Sequence, residues 1–430
     1  MRIIRYPSAD AWKSIIERPH LDMSQLNDTV RTVINDVRAG GDDAVRRYEE
    51  KFDHVALTDL KVCQQEIDEA EDMIDGDLKQ AIRQAHENIY RFHSAQSFNG
   101  IKVTTAPGVE CWQRSVPIEK VGLYIPGGTA PLFSTVLMLA TPAKIAGCKN
   151  IVLCTPPDKK GKVNPAILFA ASVAGVSDIF KIGGVQAIAS MAYGTESVPK
   201  VSKIFGPGNQ YVMAAKQQVS LGDVAIDMPA GPSEVCVIAD EGSNVRYVAA
   251  DLLSQAEHGG DSQVLLITTS EHIADAVNAE IETQLAVLPR KDIATRALAN
   301  SKCVVMHTLD EAMALSNAYA PEHLILAVDD YMSLAEKVVN AGSVFLGKYA
   351  CESAGDYASG TNHTLPTHGY ATAYSGVNLD SFMRKITFQH LDEQGVLSIG
   401  HTVELMAENE QLHAHKNAMT VRLRDVTGRE

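Results

Sequence analysis

The stretch VGLYIPGGTAPLFSTVLMLATPAKIA, residues 121–146, decides the fold class. Val121 to Ile125 is a short apolar run of strand length, Pro126-Gly127-Gly128 is a turn, and Pro131 to Ala146 carries helical periodicity. The same unit then recurs. Asn150 to Cys154 is strand-like, and a Pro-rich turn leads to a helix over Pro165 to Ala174. Asp178 to Ile182 meets Gly183-Gly184 and a helix from Gln186 to Tyr193. Lys203 to Phe205 meets Gly206-Pro207-Gly208 and a helix from Asn209 to Val219. Strands alternating with helices of this length predict a parallel sheet with crossover helices.

A second run of the same kind follows. It starts with a strand at Glu234 to Ala239, a helix over Asn244 to Glu257, a strand over Gln263 to Thr268 and a helix over Glu271 to Leu288. It ends with strands Cys303 to His307, His323 to Ala327 and Ser343 to Leu346. The expected class is therefore α/β, with two incomplete Rossmann-like modules built on parallel sheets. Upstream, residues 1 to about 100 read as helix: Met23 to Phe52 with a break at Gly40-Gly41, then Gln65 to Phe98. Downstream, residues from about 370 read as a polar, partly helical tail domain. The division expected is an N-terminal segment 1–23, a discontinuous first α/β domain (24–120 and 233–370), a second α/β domain 121–232, and a tail 371–430.

Composition narrows the function. The chain has 430 residues, 45% hydrophobic and 21% charged, which suits a globular protein of two to three domains at roughly 150 residues each. There are 38 basic and 53 acidic side chains, a net charge of −15. That argues against nucleic acid or an anionic membrane as partner. The most apolar stretches, 131–140 and 166–176, are shorter than the ~18 residues of a membrane span, and the first residues lack a signal-peptide core, so the expected location is the cytoplasm. Seven scattered cysteines with no CxxC read as reduced, buried thiols.

Three features bear on chemistry. First, Gly-rich strand-to-helix turns suit phosphate, because unpaired N–H groups and the helix dipole meet there. The GxGxxG fingerprint is absent: Gly206-Pro207-Gly208-Asn209-Gln210-Tyr211 has tyrosine at the third glycine. A nucleotide site and turns that serve only the fold are both open on this signal. Second, Gln255 and His258 sit at i and i+3 near a helix end followed by Gly259-Gly260, and Asp356 lies in a stretch of small residues before His363. Glu410, His413 and His415 stand in the tail. Imidazole and carboxylate suit zinc, although each histidine alone is more commonly structural. Third, Pro321-Glu322-His323 places an acid–base pair at a strand mouth. Adjacent strand residues point to opposite faces, so the two would address two sides of a substrate; ordinary surface contacts are the bland alternative. Ser233 is a loop serine between the modules and most such serines only cap or turn.

Together these segments resemble the histidinol dehydrogenase family, over about residues 24 to 418. The carriers are IDMPAGPSEV (226–235), SQAEHG (254–259), PEHL (321–324), ESAGDYASGTNH (352–363) and HAHKN (413–417). Departures are few: Gly260 stands where some relatives have Pro, and Cys236 lies in an otherwise aliphatic strand. The resemblance implies oxidation of L-histidinol to L-histidine through L-histidinal, with NAD and one zinc ion per subunit. It implies zinc ligation by Gln255, His258, Asp356 and His415, and acid–base roles for Glu322 and His323. Ser233, His363 and Glu410 are implied as substrate contacts, beside His323 and the zinc ligands, and Tyr124, Gln186 and Asn209 as NAD contacts. Those last three lie at the three Gly turns. A homodimer whose tails complete each other's sites is implied as well. Other readings are a zinc- and NAD-dependent dehydrogenase of another small amino alcohol or diol, a metal-dependent hydrolase, and a non-catalytic dinucleotide-binding module. A cysteine thiohemiacetal route through Cys111 or Cys154 is disfavoured, since neither has a nearby histidine in sequence.

Overall fold

The computed structural model describes residues 1–18, 24–127 and 130–428. Its strands in chain order are β1 (Arg2–Arg5), β2 (Ile101–Ala106), β3 (Val109–Pro117), β4 (Lys120–Tyr124), β5 (Asn150–Thr155), β6 (Asp178–Lys181), β7 (Lys203–Phe205), β8 (Ala225–Ile226), β9 (Glu234–Ala239), β10 (Gln263–Thr268), β11 (Lys302–Val305), β12 (His323–Ala327), β13 (Ser343–Leu346) and β14 (Met383–Leu391). Contacts divide the chain into two compact units, residues 1–95 with 119–382, and residues 96–118 with 383–430.

The first unit holds two parallel sheets, as the alternating pattern requires. The five-stranded sheet has the order β6-β5-β4-β7-β8 and the six-stranded sheet the order β1-β11-β10-β9-β12-β13. Strands β5, β9 and β10 read as continuous apolar runs because helices cover both faces, and nearly every one of their residues is buried. On one face of the six-stranded sheet Val235, Val237, Leu266 and Val305 pack on the helices Val245–Ala256 and Glu271–Leu285. On the other, Cys236, Ile238, Leu265 and Val304 pack on the helix Leu309–Tyr319.

The helix Ser24–Tyr48 lays Val30, Val33, Ile34 and Val37 against Ile188, Ala192 and Val212 beside the five-stranded sheet. Its break falls at Gly41, as the Gly40-Gly41 pair predicts. There φ is +51° and a Cβ would collide with the Glu196 carboxylate, which accepts the Asp42 N–H at 2.7 Å. The expected second helix is two helices, Gln64–Asp72 and Gly76–Ser94. The first residues depart from the helical expectation: Arg2–Arg5 is the edge strand β1, paired with β11. Local periodicity carries no sign of a partner 300 residues away.

The second unit is built on an antiparallel sheet of order β14-β3-β2, with Trp112 stacked on Phe388 at 5.4 Å between ring centroids. The helices Glu393–Asn409 and His413–Thr427 pack on each other, with Gly400 letting Leu423 approach. The tail read as partly helical thus also carries a nine-residue strand. Among the described residues no helix is long and apolar enough to cross a membrane. Of the seven cysteines expected to be buried, Cys63 is exposed and Cys111 and Cys351 are half-buried, while Cys148, Cys154, Cys236 and Cys303 are buried; all seven are free.

Candidate active site

In the five-stranded sheet, β5 and β6 lie on one side of β4 and β7 on the other. The loops leaving β4 and β7 therefore diverge at the carboxyl ends of the strands, where open α/β sheets hold ligands. Tyr124 ends β4, buried, and its Oη accepts the Gly184 N–H at 3.1 Å. Gly206 follows β7 with φ +128°, and a Cβ there would lie 2.1 Å from the Tyr124 carbonyl oxygen, so only glycine lets the two loops touch. Asn209 caps the helix Gln210–Ser220, its Oδ1 accepting from the N–H groups of Tyr211 and Val212 at 3.0 and 3.1 Å. Gln186 is fully buried. Its Nε2 donates to Glu49 Oε1 at 2.8 Å, and its Oε1 has no partner. Glu49 also accepts the Gly183 N–H at 3.0 Å, and burial pushes its carboxyl up to about 8. The turns of Tyr124, Gln186 and Asn209 are thereby brought together. Gly128, part of the first turn, lies outside the described residues. Glu49 itself comes from the end of the first long helix, and no spacing in the sequence connects it with Gln186.

The second group gathers at the carboxyl end of the helix Val245–Ala256 and the amino end of β12. Ala320, at φ +50°, ends the helix Leu309–Tyr319 and turns the chain into Pro321-Glu322-His323. Glu322 and His323 are both buried. They do not address opposite faces as expected. Glu322 precedes the first strand residue, so strict alternation does not apply, and both side chains converge on one residue of β9. His323 Nδ1 lies 3.1 Å from the Glu234 carbonyl oxygen, and Glu322 Oε2 accepts the Glu234 N–H at 2.9 Å. Gln255 Nε2 also donates to Glu322 Oε2, at 3.3 Å. Burial raises the Glu322 carboxyl to about 7. For His323 burial pulls the other way, and the negative charge of Glu352, Glu322 and Asp356 outweighs it and holds the imidazole well above its ordinary value.

Four buried polar atoms here make no hydrogen bond: Gln255 Oε1, Glu352 Oε2, and the pair Asp356 Oδ1 and His323 Nε2, which face each other at 3.6 Å. Burying such atoms unsatisfied is costly, which argues that a ligand meets them. His258, Glu352 and Asp356 offer donor atoms within 4.8 Å of one another, and His258 is accessible. Burial and like-charged neighbours hold the carboxyls of Glu322 and Glu352 above their ordinary range, a crowding that a divalent cation would relieve. The donor set, carboxylate, amide oxygen and imidazole, fits zinc or a similar ion. Glu352 was not singled out in the sequence, though it stands at i−4 from Asp356 on the helix Glu352–Tyr357.

Ser233, His258, Glu322 and His363 line one cavity of about 150 Å³ together with Gly206, Pro207 and Gly208. That volume suits a small molecule, below the ~300–1,000 Å³ common for larger ligands. The cavity joins the glycine loop of one sheet to Glu322 at the edge of the other. His363 has both ring nitrogens engaged, Nδ1 with the Asp356 carbonyl oxygen at 2.9 Å and Nε2 with Thr135 Oγ1 at 3.1 Å. Glu410 and His415 belong to the second unit. Glu410 caps the helix Glu393–Asn409, His415 lies in the first turn of the next helix, and both are exposed. Cys154 is wholly buried with its thiol pushed far up by burial, which makes it a poor nucleophile.

The sequence profile of the family described as histidinol dehydrogenase matches residues 16–423. The histidinol dehydrogenase of Bacteroides fragilis is 66% identical over 426 residues, 99% of this chain and 100% of that one. That of Bacteroides thetaiotaomicron is 66% identical over 423 residues, 98% and 99% of the two chains. The crystal structure of histidinol dehydrogenase from Elizabethkingia anophelis superposes with a TM-score of 0.97 at 53% identity, covering 99% of each chain.

Proposed function

The chain belongs to the histidinol dehydrogenase family, an oxidoreductase family of histidine biosynthesis, and on that premise we propose that it oxidises L-histidinol to L-histidine through L-histidinal, in two successive hydride transfers to NAD. The observation that carries this reading is the cavity in which Glu322 faces the Gly206 loop, beside three donor atoms that make no hydrogen bond, and His258.

NAD, when bound, supplies the hydride acceptor, with Tyr124, Gln186 and Asn209 as its contacts. Zinc, when bound, would supply a Lewis acid that orients the substrate. Gln255, His258 and Asp356 would hold it, with His415 coming from a second copy of the chain.

The proton chemistry belongs to the protein. His323 Nε2, the ring nitrogen that makes no hydrogen bond, accepts the hydroxyl proton as hydride leaves the carbinol carbon. Glu322 then draws a proton from water, whose oxygen adds to the aldehyde carbonyl, while His323 returns its proton to the carbonyl oxygen and becomes a base again. The resulting hydrate gives its hydroxyl proton to His323 in the second oxidation. Ser233 and His363 contact the substrate from the cavity wall, and Glu410 from the second copy. The exposure of Glu410 and His415, and of Leu405, Met406 and Leu412 near them, supports a homodimer in which this unit is covered. Free cysteines support a reducing, cytoplasmic setting.

The test is NADH formed per L-histidinol consumed by metal-stripped protein, with and without added zinc. A ratio near two that requires zinc is expected. A ratio near one would end the chemistry at the aldehyde and remove the water-activating role of Glu322. No NADH with zinc bound would turn the reading to another amino alcohol or diol.

A further inference from the structure

Glu234 opens β9 and holds both members of the acid–base pair by its main chain. Its N–H donates to Glu322 Oε2 at 2.9 Å and its carbonyl oxygen faces His323 Nδ1 at 3.1 Å. A carbonyl can only accept, so the shared proton sits on Nδ1. In the neutral ring that leaves Nε2, 3.6 Å from Asp356 Oδ1, as the basic nitrogen that takes the hydroxyl proton. The position of one residue thus sets the tautomer of His323 and the direction of Glu322.

What fixes Glu234 is its side chain, only 3% exposed. Arg18 grips the carboxylate with two fingers, Nε on Oε1 and Nη2 on Oε2, the latter at 2.9 Å. The same Nη2 donates to the Tyr319 carbonyl oxygen at 2.7 Å, and the guanidinium carbon lies 4.2 Å from the centroid of the Tyr319 ring. His368 adds its N–H to Glu234 Oε1 at 2.9 Å. Tyr319 is buried in turn, its Oη donating to Gln263 Oε1 at 2.9 Å. The anchor therefore joins the N-terminal segment, the start of β9, the helix end just before Glu322 and the loop at 368.

A buried ion pair is a poor device for stability alone, since an apolar pair of similar volume does as well or better. What a forked guanidinium on a carboxylate adds is direction. We infer that the Arg18–Glu234 pair is a positioning device that holds His323 in its Nδ1–H tautomer and aims Glu322, acting on catalysis through β9 without touching the substrate. This rests on the proposed roles of Glu322 and His323.

The experiment replaces both charges together, Arg18→Met with Glu234→Met, so that no buried charge is left unpaired. The measurements are kcat, KM for L-histidinol, bound zinc, and the ¹⁵N imidazole resonances of His323, assigned by their loss in His323→Asn. At a pH high enough for the ring to be neutral, wild type should show Nδ1–H alone. The double variant should show mixed tautomers and a kcat lower by about 10–100-fold, with KM and zinc content unchanged, the usual scale for losing a partner that orients a reactive ring. A single tautomer with wild-type kcat overturns the inference. If the double variant does not fold, Arg18→Ala replaces it, with kcat expected to recover saturably on added guanidinium ion; no recovery in folded protein overturns it. Wild type that fails to oxidise L-histidinol would sink the substrate reading, while the tautomer measurement would still decide this one.

Discussion

The Lys216 ammonium lies 2.5 Å from the Asp227 carboxylate, and both side chains are 1% exposed. Between them they hold both polar groups of Gly206: Lys216 Nζ donates to its carbonyl oxygen at 2.7 Å, and its N–H donates to Asp227 Oδ2 at 2.8 Å. The loop that closes the cavity cannot shift without disturbing a buried charge. Lys216→Met strands the Asp227 carboxylate, a change that costs about 3–5 kcal/mol in such settings. Thermal unfolding should show a midpoint lower by several degrees, and the KM for NAD should rise about tenfold because the Gly206 loop is released. A midpoint like wild type would mean that Asp227 does not depend on this lysine.

Glu322 and His323 separate by the reaction they are asked to perform. Only oxidation of the aldehyde needs water to be activated; its reduction does not. Glu322→Gln should therefore slow oxidation of added L-histidinal by about 10²–10⁴-fold, and its reduction much less. His323→Asn should slow both oxidations of the forward reaction. Equal losses in both directions for Glu322→Gln would exclude the water-activating role.

What the sequence made legible follows from the range of the interactions. The turns after Ile125, Ile182 and Phe205 could be read because strand, glycine turn and helix are neighbours along the chain; Gln255 and His258, read as i and i+3 on one helix face, instead lie in the last turn and past its end, since the helix stops at Ala256. The pairing of β1 with β11, and of β3 with β14, could not be read, because each joins segments roughly 300 residues apart whose own patterns are satisfied by other partners. The same holds for Glu49 under Gln186 and for Arg18 behind Glu234. Their burial is meaningful only once distant elements meet. The wrong expectation for the faces of Glu322 and His323 came from applying strand alternation one residue before the strand begins.

Zinc binding offers a readout independent of turnover. Equilibrium dialysis against a competing chelator should give one zinc per chain for wild type. His258→Asn and Asp356→Asn should abolish measurable binding, since each removes a donor from the cluster. Glu352→Gln should keep the stoichiometry and weaken affinity by about 10–100-fold, because its carboxylate borders the same site and orients the others. Unchanged affinity in Asp356→Asn would move the metal away from this cluster.

Asp251 lies one turn before Gln255 on the helix Val245–Ala256, and burial alone raises its carboxyl from 3.8 to about 7. The unfolded chain therefore releases this proton at lower pH than the folded one. Between about pH 4 and pH 7 the folded state binds the more protons, so the contribution of this group to stability falls as pH rises, and above about pH 7 the loss is complete. Asparagine does not titrate and escapes the loss. In denaturant unfolding, Asp251→Asn should gain on wild type as pH increases, the gap widening by on the order of 2 kcal/mol between about pH 5 and pH 7.5. A gap that stays constant over that range would mean that Asp251 is ionised in the folded protein throughout, and that water or a cation reaches its carboxylate.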